Sequence, residues 1–127
     1  MAISLILYGG PRTRASMPRW YLEEKGIAYE LRELDLRGNQ HRQPDYLAVN
    51  PFGKLPALVD TSLQGLDGQT LKLFESGAIL LHLAEHHAGE IQSASQRSLI
   101  AQWCCSPMQP WPSPCLYPAT VSGNFHG

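Results

Sequence analysis

Residues 50–56 read Asn-Pro-Phe-Gly-Lys-Leu-Pro and residues 74–79 read Phe-Glu-Ser-Gly-Ala-Ile, with one short strand–turn–strand between them. Few folds can use that pair. A proline after Leu55, directly before the extended run 57–60, can take the cis bond that is almost confined to X–Pro. A cis Leu55–Pro56 bond turns the Leu55 amide and carbonyl outward, free to pair with an extended peptide as an added strand does. Glu75 and Ser76 fall where a strand gives way to a helix. Ser76 is placed to cap that helix, and the unpaired amides of its first turn attract a carboxylate. The two segments together predict a site that grips a small peptide by its backbone and its α-amino-acid end.

Composition narrows the field. A length of 127 residues suits one compact domain with little left over. With 43% hydrophobic residues and a formal net charge of −1, nothing points to a nucleic-acid partner. No apolar run approaches the ~20 residues of a membrane span. The opening Met-Ala-Ile-Ser-Leu-Ile-Leu-Tyr has neither a basic start nor a small-residue cleavage site, so it reads as a strand. The three cysteines (Cys104, Cys105, Cys115) show no Cys-x-x-Cys or zinc-type spacing, and a reducing cytoplasm is expected.

Residues 3–8 are apolar and β-prone, as a buried central strand is, and Gly9, Gly10 and Pro11 break them. Residues 15–25 predict a helix with Met17, Trp20, Tyr21 and Leu22 inward, stopped by Gly26. Residues 29–34 alternate as a half-exposed strand. A short irregular helix is expected within 41–49, beginning near Pro44. Strands follow at 57–60 and 70–74, joined through Gly65, Asp67 and Gly68, and a helix at 76–86 carries Ile79, Leu80 and Leu83 on one face. The order is β-α-β-α-β-β-α, with an early parallel pair and a later antiparallel hairpin.

That order and both motifs resemble the N-terminal thioredoxin-like domain of the glutathione transferase family, nearest its cyanobacterial chi-class, beta-like and phi-like members. The likeness covers roughly residues 2–103. It is carried by Leu7-Tyr8-Gly9, by Trp20-Tyr21-Leu22-Glu23-Glu24, by residues 50–58 and by residues 75–79. It implies an α/β, thioredoxin-like fold with a four-stranded mixed sheet. It also implies glutathione as co-substrate, no metal cofactor, an electrophilic small molecule as second substrate, and a homodimer for full-length members. Residue by residue, it implies that Glu75 and Ser76 hold the γ-glutamyl end. Leu55 would pair with the cysteinyl part just before cis-Pro56, and His41 and Lys54 would lie toward the glycyl carboxylate. Simpler roles remain open for several: a helix cap for Ser76, a solvated turn for Lys54, an exposed histidine for His41. Trp20, Tyr21 and Leu22 read as core. His82, His86 and His87 have helical spacing, which makes a metal site conceivable, but no acidic or cysteine partner set accompanies them in the sequence and a structural role is expected.

A thiol of cysteine type has a pKa near 8.5, and lowering it by about two units requires about 2.7 kcal/mol of preference for the anion. A hydroxyl donor at the start of the first helix, aided by that helix's amides, can supply this. Family members use Tyr, Ser or Cys near this turn. Here residues 9–16 read Gly-Gly-Pro-Arg-Thr-Arg-Ala-Ser, without cysteine. Counting from Gly9 selects Thr13, and counting back from the following helix selects Arg12. Ser16 and Tyr8 are also in reach. Ser16 or Thr13 is the expected donor, with Arg12 or Arg14 adding positive potential; either hydroxyl can instead cap the helix.

The likeness ends after Trp103. From Ser98 onward there is no Asp, Glu, Lys or Arg, and five of the ten prolines lie within 107–118. Interior proline costs roughly 3 kcal/mol in a helix, so the long helices of the family's second domain are not expected there. One inserted G after the Trp103 codon turns a permitted coding of residues 104–112 into Val-Leu-Phe-Ala-Asn-Ala-Thr-Leu-Ala, a good helix former. The expected organisation is thus a glutathione-binding domain at 1–88, a linker and the start of a helical domain at 89–103, and an atypical frame-shifted or disordered tail at 104–127. The resemblance puts much of the electrophile pocket in the second domain, so weak binding, low turnover and exposed apolar surface are expected. Two other functions are carried alongside transfer: a non-catalytic thioredoxin-like binding module, and a glutathione-dependent reductase or peroxidase, which normally wants a cysteine near 12–16.

Overall fold

The computed structural model describes residues 3–10 and 13–105. Strand β1 (Leu5–Gly9) lies second in a four-stranded sheet of order β2-β1-β3-β4, with β2 at Glu30–Glu33, β3 at Ala57–Gln64 and β4 at Thr70–Phe74. β1 and β2 are parallel, and the other two pairings are antiparallel. This is the mixed, thioredoxin-like sheet expected from the sequence.

The register explains the core. Leu31, Leu7, Leu58 and Leu73 face one another across all four strands. On that face α1 (Ser16–Lys25) and α3 (Ser76–His86) pack Tyr21, Leu22, Ile79, Leu80 and Leu83 against Leu5, Leu7 and Leu58. Each of these residues is at most 2% exposed, and burying such a side chain stabilises the fold by ~1.5–3 kcal/mol. The opposite face carries Tyr8, whose ring stands 5.3 Å from that of Tyr46 in α2 (Pro44–Leu47).

Local chemistry sets the helix ends. Pro18 sits in the first turn of α1, where no backbone donor is lost. Gly26 takes φ 66, and bonds from Gly26 N to Glu23 O and Ile27 N to Leu22 O close a Schellman end. After α3, Ala88 N bonds to Leu83 O and Glu90 N to Ala84 O, with Gly89 between them at φ 65.

Several expectations need correcting. Trp20 is 42% exposed, since it faces away from the side of α1 that Tyr21 and Leu22 bury. β3 runs on to Gln64, because Thr61 donates to Ser4 O from both its amide and its hydroxyl. Cys104, placed in the tail by the sequence, is the last residue of α4 (Ala94–Cys104), which packs against α3. Residues 106–127 lie outside the described residues, as does Arg12. No helix among the described residues is long and apolar enough to cross a membrane.

Candidate functional site

Strand pairing assembles the two motifs. Ala57 pairs with Phe74, so the residues just before β3 and just after β4 emerge at the same end of the sheet. Leu55 and Pro56 are thereby placed beside Glu75 and Ser76, and the Leu55–Pro56 bond is cis. Neither the Leu55 N–H nor its C=O has a backbone partner among the described residues.

The loop leading there is held from inside. Asn50, 1% exposed, donates from Nδ2 to Lys54 O at 2.8 Å and accepts from Phe52 N at 3.0 Å. The Tyr46 hydroxyl also donates to Lys54 O, at 2.5 Å, and burial pushes its pKa up to about 12, so it stays a donor. Gly53 closes the turn with φ 64, and a Cβ there would meet His41 O at 3.0 Å. A sequence reading that stops at Lys54 and Leu55 misses Asn50 and Tyr46. Their signal was a buried-size amide and phenol flanking a turn.

On the other side, Glu75 adopts φ 75 and ψ 122, a conformation that costs a non-glycine residue ~1–3 kcal/mol and collects at functional sites. Glu75 occupies the position assigned to a cap, and Ser76 is the first helical residue. The expected Ser76 cap is therefore wrong, because Ser76 already has helical backbone and no side chain caps α3. Ser76 is 9% exposed and Glu75 faces solvent, so the helix start offers amides and a hydroxyl beside an exposed carboxylate.

A cavity of about 430 Å³ flanks Leu55 and is lined by Thr13, Arg14, His41, Arg42, Phe52 and Lys54 among others. Its charged walls are all basic. His41 Nδ1 is buried and has no partner among the described residues. Such a buried ring nitrogen needs a hydrogen-bond partner, which water or a ligand entering the cavity can supply.

The four candidate activating residues separate. Thr13 lies on this cavity, whereas Ser16 lines a second one, about 360 Å³, with Arg19, Trp20 and Glu23. Thr13 Oγ1 donates to Gly10 O at 2.7 Å and accepts from Gly10 N and Ala15 N, each at 3.3 Å. It staples the turn and does not cap α1, whose cap position belongs to Ala15. Ser16 is the first helical residue and is no cap either. Tyr8 accepts a hydrogen bond from Arg32 Nη1 at 3.2 Å. Arg12 lies outside the described residues.

The histidines of α3 also need a correction. Asp60, from the helix-facing side of β3, supplies the acidic partner that the sequence did not reveal. His82 Nε2 and His87 Nε2 each stand 2.7 Å from its Oδ2. Burial opposes its ionisation, yet bonds from His87, Ser62 and His82 hold its carboxyl well below the usual carboxylate range. Burial likewise pulls the His82 imidazole down, against the pull of Asp60.

Known proteins resemble this chain in sequence and fold. The model of the family "Glutathione S-transferase, N-terminal domain" matches residues 3–85. Glutathione S-transferase F10 of Arabidopsis thaliana is 37% identical over 87 residues, covering 65% of this chain and 37% of its own. The disulfide-bond oxidoreductase YfcG of Escherichia coli K12 is 45% identical over 80 residues, covering 62% and 36%. A glutathione transferase structure from Pseudomonas putida, with one glutathione disulfide bound per subunit, is 36% identical with a TM-score of 0.65. The match covers 79% of this chain and 43% of that one. The chain thus spans little more than a third of these two curated relatives' length.

Proposed function

This chain belongs to the glutathione S-transferase family, and from that premise we propose that it binds glutathione across the sheet end, as the glutathione-holding part of a transferase. The observation that carries this reading is the juxtaposition of cis-Pro56 with the Glu75–Ser76 corner, set by the Ala57–Phe74 pairing. The unpaired Leu55 backbone takes the cysteinyl amide and carbonyl as an added strand would. Glu75 pairs with the glutathione ammonium, and Ser76 with the adjacent α-amino-acid carboxylate at the helix start. The basic cavity takes the glycyl carboxylate, with His41 and Lys54 nearest Gly53 and Leu55.

The reaction is thioether formation. The thiol proton leaves to solvent, the thiolate attacks an electrophilic carbon, and the leaving group departs with its electron pair. Thr13 is the activating hydroxyl, because it shares the cavity with Leu55 and Ser16 does not. To act, it exchanges its bond to Gly10 O for one to the thiolate. Full turnover and electrophile choice are assigned to the two-domain arrangement of full-length family members, a homodimer by that resemblance, with the cytoplasm as the compartment.

A second reading, glutathione-dependent disulfide reduction, is favoured by the likeness to an oxidoreductase named for that activity; the absence of cysteine within residues 9–16 weighs against it. Calorimetry with glutathione tests the binding, which Ser76→Ala should weaken at least tenfold while the fold survives. Unchanged affinity would overturn the site. Thiolate absorbance of bound glutathione should vanish in Thr13→Val and persist in Ser16→Ala. Turnover of a model disulfide without conjugation of a chloronitrobenzene would select the second reading.

A further inference from the structure

Asp60, His82 and His87 lie at the far end of α3 from the glutathione corner and take no part in the chemistry above. Three potential ligand atoms, one carboxylate oxygen and two imidazole nitrogens, lie within 4.8 Å of one another. Asp60 and His82 are 1% and 8% exposed, and the His87 side chain is 16% exposed. We propose that these three residues form a binding site for a first-row divalent cation, with zinc the best fit.

The donor set supports that choice. Two imidazoles and one carboxylate suit zinc, whereas calcium and magnesium take oxygen donors. The outer ring of contacts is already built. Ser62 donates to Asp60 Oδ1 from its amide at 2.9 Å and from its hydroxyl at 2.5 Å, which fixes the carboxylate and presents Oδ2 alone. His82 and His87 come from one helix, spaced so that both rings reach the same oxygen from different sides. Their 2.7 Å contacts are hydrogen-bond lengths. A tetrahedral ion with ligands at roughly 2.0–2.2 Å needs its donors a little over 3 Å apart, so the carboxylate and rings must spread by roughly half an ångström. His87 can make that move because it is the residue that ends α3, with non-helical φ −123. Coordination through Nε2 requires each ring to carry its proton on Nδ1. The partly exposed His87 side admits the ion and leaves room for a water as fourth ligand. His86 lies outside the set: its Nε2 faces Glu85 at 3.8 Å.

Cobalt(II) titration of the untagged, full chain tests the proposal. Expected are saturable one-to-one binding with visible d–d bands, displacement of cobalt by zinc, and zinc-dependent shifts of the His82 and His87 ring nitrogens by NMR. His87→Gln, which keeps a donor toward Asp60, should weaken binding at least a hundredfold, and His86→Gln should leave it within about threefold. NMR of the unmodified chain decides the matter even where a variant fails to fold. A near-ultraviolet cobalt–thiolate band assigns the ion to the cysteines and overturns the proposal. Absence of one-to-one binding, or equal loss in both variants, leaves a hydrogen-bonded clamp only and overturns it as well.

Discussion

At its first turn α3 leaves amides uncapped beside a strained, solvent-facing Glu75, while His82 in its second half and His87 just past its end converge on a buried Asp60 whose acceptor positions are all taken. Both ends are polar; the first follows the end of β4, and the second meets the interior of β3 at Asp60. They differ in satisfaction. A corner of the fold that keeps open hydrogen-bonding groups and tolerates ~1–3 kcal/mol of backbone strain is an arrangement that suits a ligand. In the absence of a cation, a corner with every acceptor filled holds β3 to α3 and contributes to stability directly; the cation proposed above would exchange those hydrogen bonds for coordination. His82 is only roughly 9 Å along the helix from Ser76. The two corners should nevertheless respond to mutation in opposite ways.

The largest effect is expected at the satisfied end. Asp60→Ala leaves one buried and one half-buried imidazole without their acceptor and should lower the unfolding free energy by about 3 kcal/mol, measured by urea titration. Glutathione affinity of the molecules that remain folded should not change; a parallel loss of affinity would dissolve the contrast between the ends. Next comes Ser76→Ala, which should cost about 2 kcal/mol of glutathione binding by calorimetry and under about 0.5 kcal/mol of stability. A stability loss matching the affinity loss would make Ser76 part of the packing. Asn50→Ala removes one of two donors to Lys54 O and frees Phe52 N, and about 1–2 kcal/mol of stability should go with it. Affinity should fall in step, since the same loop carries Leu55. The smallest change is Gly53→Ala, about 1 kcal/mol, from a left-handed φ and a Cβ pressed on His41 O. Thermal denaturation resolves it.

Much of this was visible in the sequence. The leucines of β1 and β3, the Gly26 stop and the hairpin glycines dictate their own local geometry, so the element order and the mixed sheet followed from periodicity and turn chemistry. The two motifs also carried their positions, because Pro56 and Glu75 flank a hairpin that must bring them together. Less was legible in the turn at residues 9–16. Arg12, Thr13 and Ser16 within it and Tyr8 beside it are four candidates to approach a thiol, and only the cavity walls divide Thr13 from Ser16. Trp20 was misplaced for a related reason, since helical periodicity gives a buried arc without its exact edge.

What the chain determined by itself is the set of contacts within a few residues: where strands stop, where helices begin, which proline can be cis. Those depend on backbone sterics and on neighbouring hydrogen bonds. Tertiary structure alone decided the company that distant polar groups keep. Asp60 meets His82 and His87, and Tyr46 meets Lys54, only after sheet register and helix packing fix their faces. No local pattern encodes such meetings, because they arise from the burial of leucines elsewhere in the chain.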